Sequence, residues 1–201
     1  EVAIFTATIF LAGNLGTNPQ AANQIALNLA SMTFMIAVGL GVTSTIRVGN
    51  QLGLRNFKEL RRIALSTFLL VFLIEAVFAI LFILLKDLLP VFYIDNLEVI
   101  GLAAQLLIVA ALFQLSDGLQ VVILGALRGL QDVKVPTLIC FIAYWIIGFP
   151  VSFYFGQENQ LGSMGIWLGL LAGLSASALM LYFRFNYLSR KLIRTKKELH
   201  V

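Results

Sequence analysis

Charge, histidine and cysteine are all scarce in this chain, and each shortage excludes something. Only 12% of the 201 residues are charged, against 60% hydrophobic. That leaves too little polar side chain to clothe a water-soluble domain. The single histidine, His200, lies in the tail, so a serine–histidine intramembrane protease would lack its base, and Gly173-Leu-Ser-Ala-Ser177 reads as helix packing instead. Asp117 is the only aspartate inside an apolar span, which leaves a paired-aspartate protease without its second acid. The single cysteine, Cys140, lies in an apolar run and excludes an intrachain disulfide. With no Cys/His cluster there are no zinc ligands, and there is no Gly-rich phosphate loop with Lys and Ser/Thr. No enzyme and no cofactor is expected. The net charge of +4 does not imply nucleic acid, because the basic residues gather at the ends of apolar runs. There is also no initiator Met and no signal peptide with a basic n-region. With Glu1 followed at once by an apolar run, the expectation is a piece of a longer protein that begins inside its first helix.

Long apolar runs are what the chain has instead. Mean hydropathy is +0.94, and the expected fold is an all-α polytopic membrane protein with six transmembrane helices. The spans are approximately 1–15 (too short to cross alone), 21–46, 63–85, 97–127, 136–156 and 163–183, with a basic, interfacial tail over 184–201. Of the 14 Lys and Arg residues, 13 fall on alternate connections: Arg47–Arg62, Arg128 to Lys134, and the tail. The opposite side holds only Lys86. This asymmetry places the C-terminus in the cytoplasm.

The chain is organised around Leu106–Gly129, an apolar helix carrying one acid, Asp117. Eleven residues separate it from Arg128, about 16 Å of helix, so its carboxyl sits near the middle of an approximately 30 Å hydrocarbon layer. An ionised acid there costs several kcal/mol unless it faces a partner, a cation or a wet cavity. Gln114 and Gln120 lie three residues to either side on the same helix face, with Phe113 at i−4. An ion or proton site is the functional reading; an uncharged acid hydrogen-bonded to a neighbouring helix is the alternative. Glu75, the one charge in Ile63–Leu85, also lies near mid-depth and divides between the same two readings. Gln24, Asn28 and Ser31 fall at i, i+4 and i+7, a polar stripe that suits a cavity wall or interhelical hydrogen bonds. Asn56 with Glu59, and Asp95 with Glu98, read as capping signals for the helices that follow. Gly13–Pro19 reads as a loop, and Pro136 suits the first turn of its helix. Gly148 and Pro150 predict a kink. Gly165, Gly169, Gly173 and Ser177 form a small-residue face for close helix contact. Mid-depth acids, interrupted helices and polar stripes together indicate transport.

Five strings in register resemble one family, the multidrug and toxic compound extrusion (MATE) antiporters. They are Ala21-Ala-Asn-Gln-Ile-Ala-Leu-Asn28, Ile46-Arg-Val-Gly-Asn-Gln-Leu-Gly53, Leu115-Ser-Asp117, Ala126-Leu-Arg-Gly129 and Tyr144-Trp-Ile-Ile-Gly-Phe-Pro150. The chain is similar to the carboxy-terminal half of a bacterial member, from the seventh helix to the twelfth. The resemblance implies one six-helix lobe of a twelve-helix transporter, facing an amino-terminal six-helix lobe across a central cavity in the bacterial inner (plasma) membrane. It implies exchange of sodium or protons for small organic, often cationic, compounds. It implies a cation site on Glu1 and Asp117, a sodium site if sodium is the coupling ion. Gln24, Asn28, Phe113, Gln114, Gln120 and Glu75 are candidates for the cavity. Two positions depart from the family pattern. A tyrosine one turn before the aspartate in sodium-coupled members is Phe113 here, and a proline in the eighth helix of some members is Ala37. The alternatives are a lipid-linked precursor flippase of the wider superfamily, expected to line its cavity with basic residues, and a non-transporting membrane scaffold working through Gly165–Ser177.

Overall fold

The computed structural model describes residues 6, 9–11, 13, 15–157 and 161–198. Glu1 and most of the first expected span lie outside them, although residues 6, 9–11 and 13 are helical. The described residues are helical without strands, and five helices are long and apolar enough to cross a membrane.

Helix α1 (Thr17–Gly53) starts before the apolar run does. Pro19 falls in its first turn, where a missing N–H loses no hydrogen bond. Of the described residues in the expected loop, only Leu15 and Gly16 are outside helix, and the Gly16 φ of 113° suits glycine. At 37 residues, α1 is about 55 Å long and must project beyond the hydrocarbon. Helix α2 (Phe57–Leu84) begins after Asn56, but the Asn56 side chain makes no capping bond. Glu59 approaches Arg62 instead, at 3.9 Å on the surface, so the expected capping box does not form. A short 3-10 turn (Leu89–Phe92) leads to α3 (Leu97–Gly129). Here the cap is Asn96, not Asp95: its Oδ1 accepts from the Glu98 and Val99 N–H groups at 3.0 and 3.4 Å. The residue adjoining the first helical position has the reach that Asp95 lacks.

Helix α4 (Lys134–Phe155) contains a π-wound segment, Ala143–Gly148, ending two residues before Pro150. Pro150 has no N–H for the preceding turn, and a widened turn accommodates its ring. The π segment lies where Gly148 and Pro150 lead one to expect a kink. Helix α5 (Ser163–Glu198) runs well past the apolar stretch. The basic tail over 184–198 thus extends the last helix, because no Gly or Pro stops it and Arg, Lys and Leu favour helix.

Helix α3 is the central element, packed against α1, α2 and α5, while the second half of α4 packs on α5. One core cluster includes Leu29, Leu107, Phe113, Trp167 and Leu174. A second, toward the basic end, includes Val48, Leu60, Phe68, Leu127 and Phe185. Outward-facing Leu69, Leu73, Val77 and Ile80 of α2 stay exposed, as a lipid-facing surface requires. The small-residue face of α5 does meet α4: a Cβ on Gly165 would overlap the Phe155 carbonyl, and one on Gly169 would overlap the Ser152 backbone. The bundle is that of an integral membrane protein.

Helices α1 and α3 end alike. Arg55 N–H bonds to Leu52 O and Asn56 N–H to Gln51 O; Gln131 N–H bonds to Arg128 O and Asp132 N–H to Leu127 O. These are twin Schellman caps with Arg55 (φ 54°) and Gln131 (φ 62°) where glycine is usual.

Candidate functional site: an acid-bearing cavity between α1 and α3

The polar stripe of α1 and the acid of α3 meet in one cavity of about 610 Å³. Gln24, Asn28 and Ser31 form its α1 wall, and Phe113 and Asp117 its α3 wall. The three α1 residues are exposed, whereas Asp117 is 5% exposed. The carboxyl therefore sits at the inner end of an otherwise largely apolar chamber, with Ile25, Leu27 and Phe34 also on the lining. Tyr93, in the connector before α3, reaches the rim and donates its hydroxyl to Asn28 Oδ1 at 2.9 Å. The aromatic wall is held from behind. Phe113 meets Trp167 edge to face, with ring centroids 5.2 Å apart, and Trp167 Nε1 donates to the buried Asn23 Oδ1 at 2.8 Å. The indole is fixed at both ends, which fixes the phenyl edge beside the acid.

Other candidates lie behind that wall. Gln114 is buried where three helices meet: its Oε1 accepts from Thr33 of α1 at 3.0 Å and its Nε2 donates to the Glu75 carbonyl of α2 at 3.2 Å. Gln120 is fully buried and donates to the Tyr144 hydroxyl in the π segment of α4. Both glutamines serve contacts between helices rather than lining the chamber. Glu75 is 1% exposed and packs its Cγ against Gly118, the residue after Asp117. A Cβ on Gly118 would come within 2.8 Å of that atom, so glycine there is what seats the acid. Neither Glu75 carboxyl oxygen has a hydrogen-bond partner among the described residues. Glu1 lies outside the described residues.

Glu75 therefore has the surroundings of a packed side chain, and Glu75→Gln is expected to express normally and transport within about twofold of wild type. The amide keeps the shape, and the carboxyl oxygens it replaces have no hydrogen-bond partner among the described residues to lose. Loss of transport at normal expression would make Glu75 part of the machinery.

Some of the site is invisible to helical periodicity. Tyr93 sits in a connector that folds back over the chamber, and Asn23 and Trp167 come from helices far apart in sequence. The spacing of α1 places Asn23 one position off the polar stripe, its only sequence cue. Among the described residues no three His, Cys, Asp or Glu side chains form a metal-binding cluster.

Comparison with known proteins fixes the family. The sequence model of the MatE family matches residues 1–154. This chain belongs to that family. It is 38% identical over 192 residues to the probable multidrug resistance protein NorM of Xylella fastidiosa (strain Temecula1 / ATCC 700964), covering 96% of this chain and 41% of that protein. It is 40% identical over 196 residues to the multidrug resistance protein NorM of Vibrio vulnificus (strain YJ016), covering 95% and 43%. Among solved structures, MATE in the straight conformation superposes with a TM-score of 0.87 at 17% identity, over 96% of this chain and 43% of that one. A eukaryotic MATE transporter superposes with a TM-score of 0.84 at 20% identity, over 94% and 44%. The structures establish the MATE fold. The chain spans about two fifths of the length of the relatives it matches.

Proposed function

We propose that the protein carrying this chain is a cation-coupled antiporter that exports small organic, often cationic, compounds. On this reading the chain is its carboxy-terminal six-helix lobe, and the chamber between α1 and α3 forms part of the path. The supporting observation is a buried carboxyl, Asp117, at the inner end of an apolar chamber with a polar stripe opposite. An apolar cation fits both halves of such a lining. No Lys, Arg or His is among the described lining residues, which favours this reading over a flippase that must hold phosphates. The relatives' names, multidrug resistance protein NorM and MdtK, support efflux.

The coupling ion, sodium or a proton, competes with substrate for one negative charge. With the chamber open outward, Asp117, joined by Glu1, takes up the ion and its charge is compensated; the organic cation loses its attraction and leaves. Loss of the ion on the inner side restores the charge for the next substrate. No cofactor is required. The experiment is efflux by the intact protein in liposomes, with a sodium gradient or a pH gradient imposed alone. Flux that follows neither gradient would overturn the antiport reading, and no flux at all would leave the scaffold.

Phe113 offers a finer test. Its ring edge is at the chamber wall one turn from Asp117, so Phe113→Tyr adds an oxygen near the carboxyl. If sodium is the ion, apparent sodium affinity rises about threefold or more, a gain of roughly 0.7 kcal/mol. An unchanged sodium dependence would mean that this face misses the ion site or that protons are used.

The proposed orientation puts the basic ends in the cytoplasm of a bacterial cell and the bundle in its inner membrane. In a Cys140→Ser background, single cysteines at Asn56 and Thr195, both exposed, are expected to label from the cytoplasm, and one at Gln157 from outside. Labelling of all three from one side would remove this orientation.

A further inference from the structure

A second cavity, of about 690 Å³, lies at the other end of the bundle, between the α1–α2 turn, the α3–α4 turn and the extension of α5. Arg55, Arg184, Lys191 and Lys196 line it, against one acid, Asp132. Asp132 accepts from Arg184 Nε at 2.8 Å. Lys196 donates to the Arg55 carbonyl at 2.8 Å and lies over the Phe57 ring, 5.9 Å from its centre. Arg55, Lys191 and Lys196 have no salt bridge among the described residues. The rest of the wall is mostly apolar, with Leu52, Leu130, Leu188 and Leu192 together with Phe57, and adds the uncharged polar side chains of Gln131 and Thr195.

The backbone adds an independent observation. Arg55 and Gln131 are the non-glycine residues with left-handed backbone among those described, and both line this cavity. Glycine would close either Schellman cap with less strain. The chain instead keeps a cationic and an amide side chain at the two matching positions, both directed to one place. Strain of this kind persists where the side chain has a use beyond the fold.

We propose that this cavity is a binding site for an anionic phospholipid of the adjoining leaflet, with the headgroup phosphate held by Arg55, Lys191 and Lys196. The glycerol and upper acyl chains lie against Leu130, Leu188 and Leu192. A soluble phosphate would use the cations and leave the leucines facing water; a phospholipid uses both. Basic pockets at helix ends on the positive side of a membrane protein have the chemistry for such headgroups.

The test uses the intact protein, delipidated in neutral detergent and titrated with phosphatidylglycerol, phosphatidylcholine or glycerol 3-phosphate. Binding is read by native mass spectrometry, with melting temperature recorded alongside. Phosphatidylglycerol is expected to bind about tenfold tighter than phosphatidylcholine, and glycerol 3-phosphate at least about tenfold weaker than phosphatidylglycerol. Arg55→Gly and Lys191→Ala should each weaken phosphatidylglycerol about fivefold, the effect of one basic residue near an anionic lipid. Arg55→Gly should hold or raise the lipid-free melting temperature, because glycine relieves the left-handed turn. Lys58→Ala, on the outer face of α2, should change nothing. Equal binding of the two lipids would overturn the proposal. So would glycerol 3-phosphate binding as tightly as phosphatidylglycerol, which would make this a soluble-anion site. A loss at Lys58→Ala as large as at Lys191→Ala would do the same, showing only diffuse attraction.

Discussion

Asp117→Asn is expected to abolish coupled efflux while leaving the protein inserted and folded. The amide matches the carboxylate in size and costs less to bury, so α3 loses nothing it needs to cross the membrane. Its neighbours are held independently: Gln114 by Thr33 and the Glu75 carbonyl, and Phe113 by Trp167. What disappears is the charge. A cation about 4 Å from a carboxylate gains on the order of 4 kcal/mol at an effective dielectric of 20. If half of that survives solvent screening, an organic cation binds roughly 30-fold more weakly to the variant. The larger consequence is in the coupling. A neutral side chain cannot alternate between a charged and a compensated state, so residual binding loses most of its dependence on sodium and pH. Glu1→Gln should give a milder version of the same defect. The measurement is substrate binding and efflux by the intact protein in liposomes, across a sodium series and a pH series. Wild-type ion dependence in Asp117→Asn would return Asp117 to a structural acid and sink the competition mechanism.

How much of this was readable in the sequence depends on which physical signal carried each feature. The α1 stripe was legible because Gln24, Asn28 and Ser31 recur at helical spacing, and a single helix face can point into only one space. Asp117 was legible because the hydrocarbon makes any acid conspicuous. The two glutamines flanking it were not separable from it by the same rule. Gln114 and Gln120 sit within one turn of Asp117, yet α3 is surrounded on several sides, and a turn of some tens of degrees sends one to α1 and α2 and the other to α4. Central helices lose the polar-face signal that a helix with one wet side keeps.

Helix ends were the least legible, for an energetic reason. Apolar residues stop where the hydrocarbon does, but the backbone is not bound to stop there. Past Arg184 the residues Asn186 to Lys196 contain no glycine or proline, so helical hydrogen bonds continue into water. At the other extreme, Pro19 and Asn18 carried a loop signal from composition, but proline in a first turn begins a helix as readily as it ends one. The cap at Asn96 instead of Asp95 is a one-residue error in a motif whose geometry tolerates none. The left-handed caps at Arg55 and Gln131 had no cue at all, because the residues there are not the ones such a turn usually selects.

The small-residue face of α5 was read from its period alone, and the structure grades it. Helices α4 and α5 approach so closely that a Cβ on Gly165 would overlap the Phe155 carbonyl and one on Gly169 the Ser152 backbone, whereas a Cβ on Gly173 would lie 3.0 Å from Gly148 Cα. The obstacles at Gly165 are main-chain atoms, and at Gly169 the Ser152 hydroxyl is backed by the Ser152 N and Cα, which cannot turn aside as a side chain can. Ser152 is fixed further by its own hydroxyl, which donates to the Ile166 carbonyl at 3.0 Å. Gly165→Ala and Gly169→Ala must therefore push the helices apart, losing packing along the whole contact, which drives association in lipid where no hydrophobic force does. Overpacking of this kind costs about 1–3 kcal/mol per site, and more for larger side chains, so Gly169→Leu should prevent stable assembly. Gly173→Ala needs a shift of only a few tenths of an ångström and should cost well under about 1 kcal/mol. The readout is the unfolding midpoint of purified protein, with efflux measured on whatever folds. The expected order is Gly173→Ala close to wild type, Gly165→Ala and Gly169→Ala strongly destabilised, and Gly169→Leu not recovered. If Gly169→Ala matched Gly173→Ala in stability, α4 and α5 would not be in backbone contact at Ser152. If instead Gly169→Ala folded normally but lost transport, this face would be a working surface and not only a packing seam.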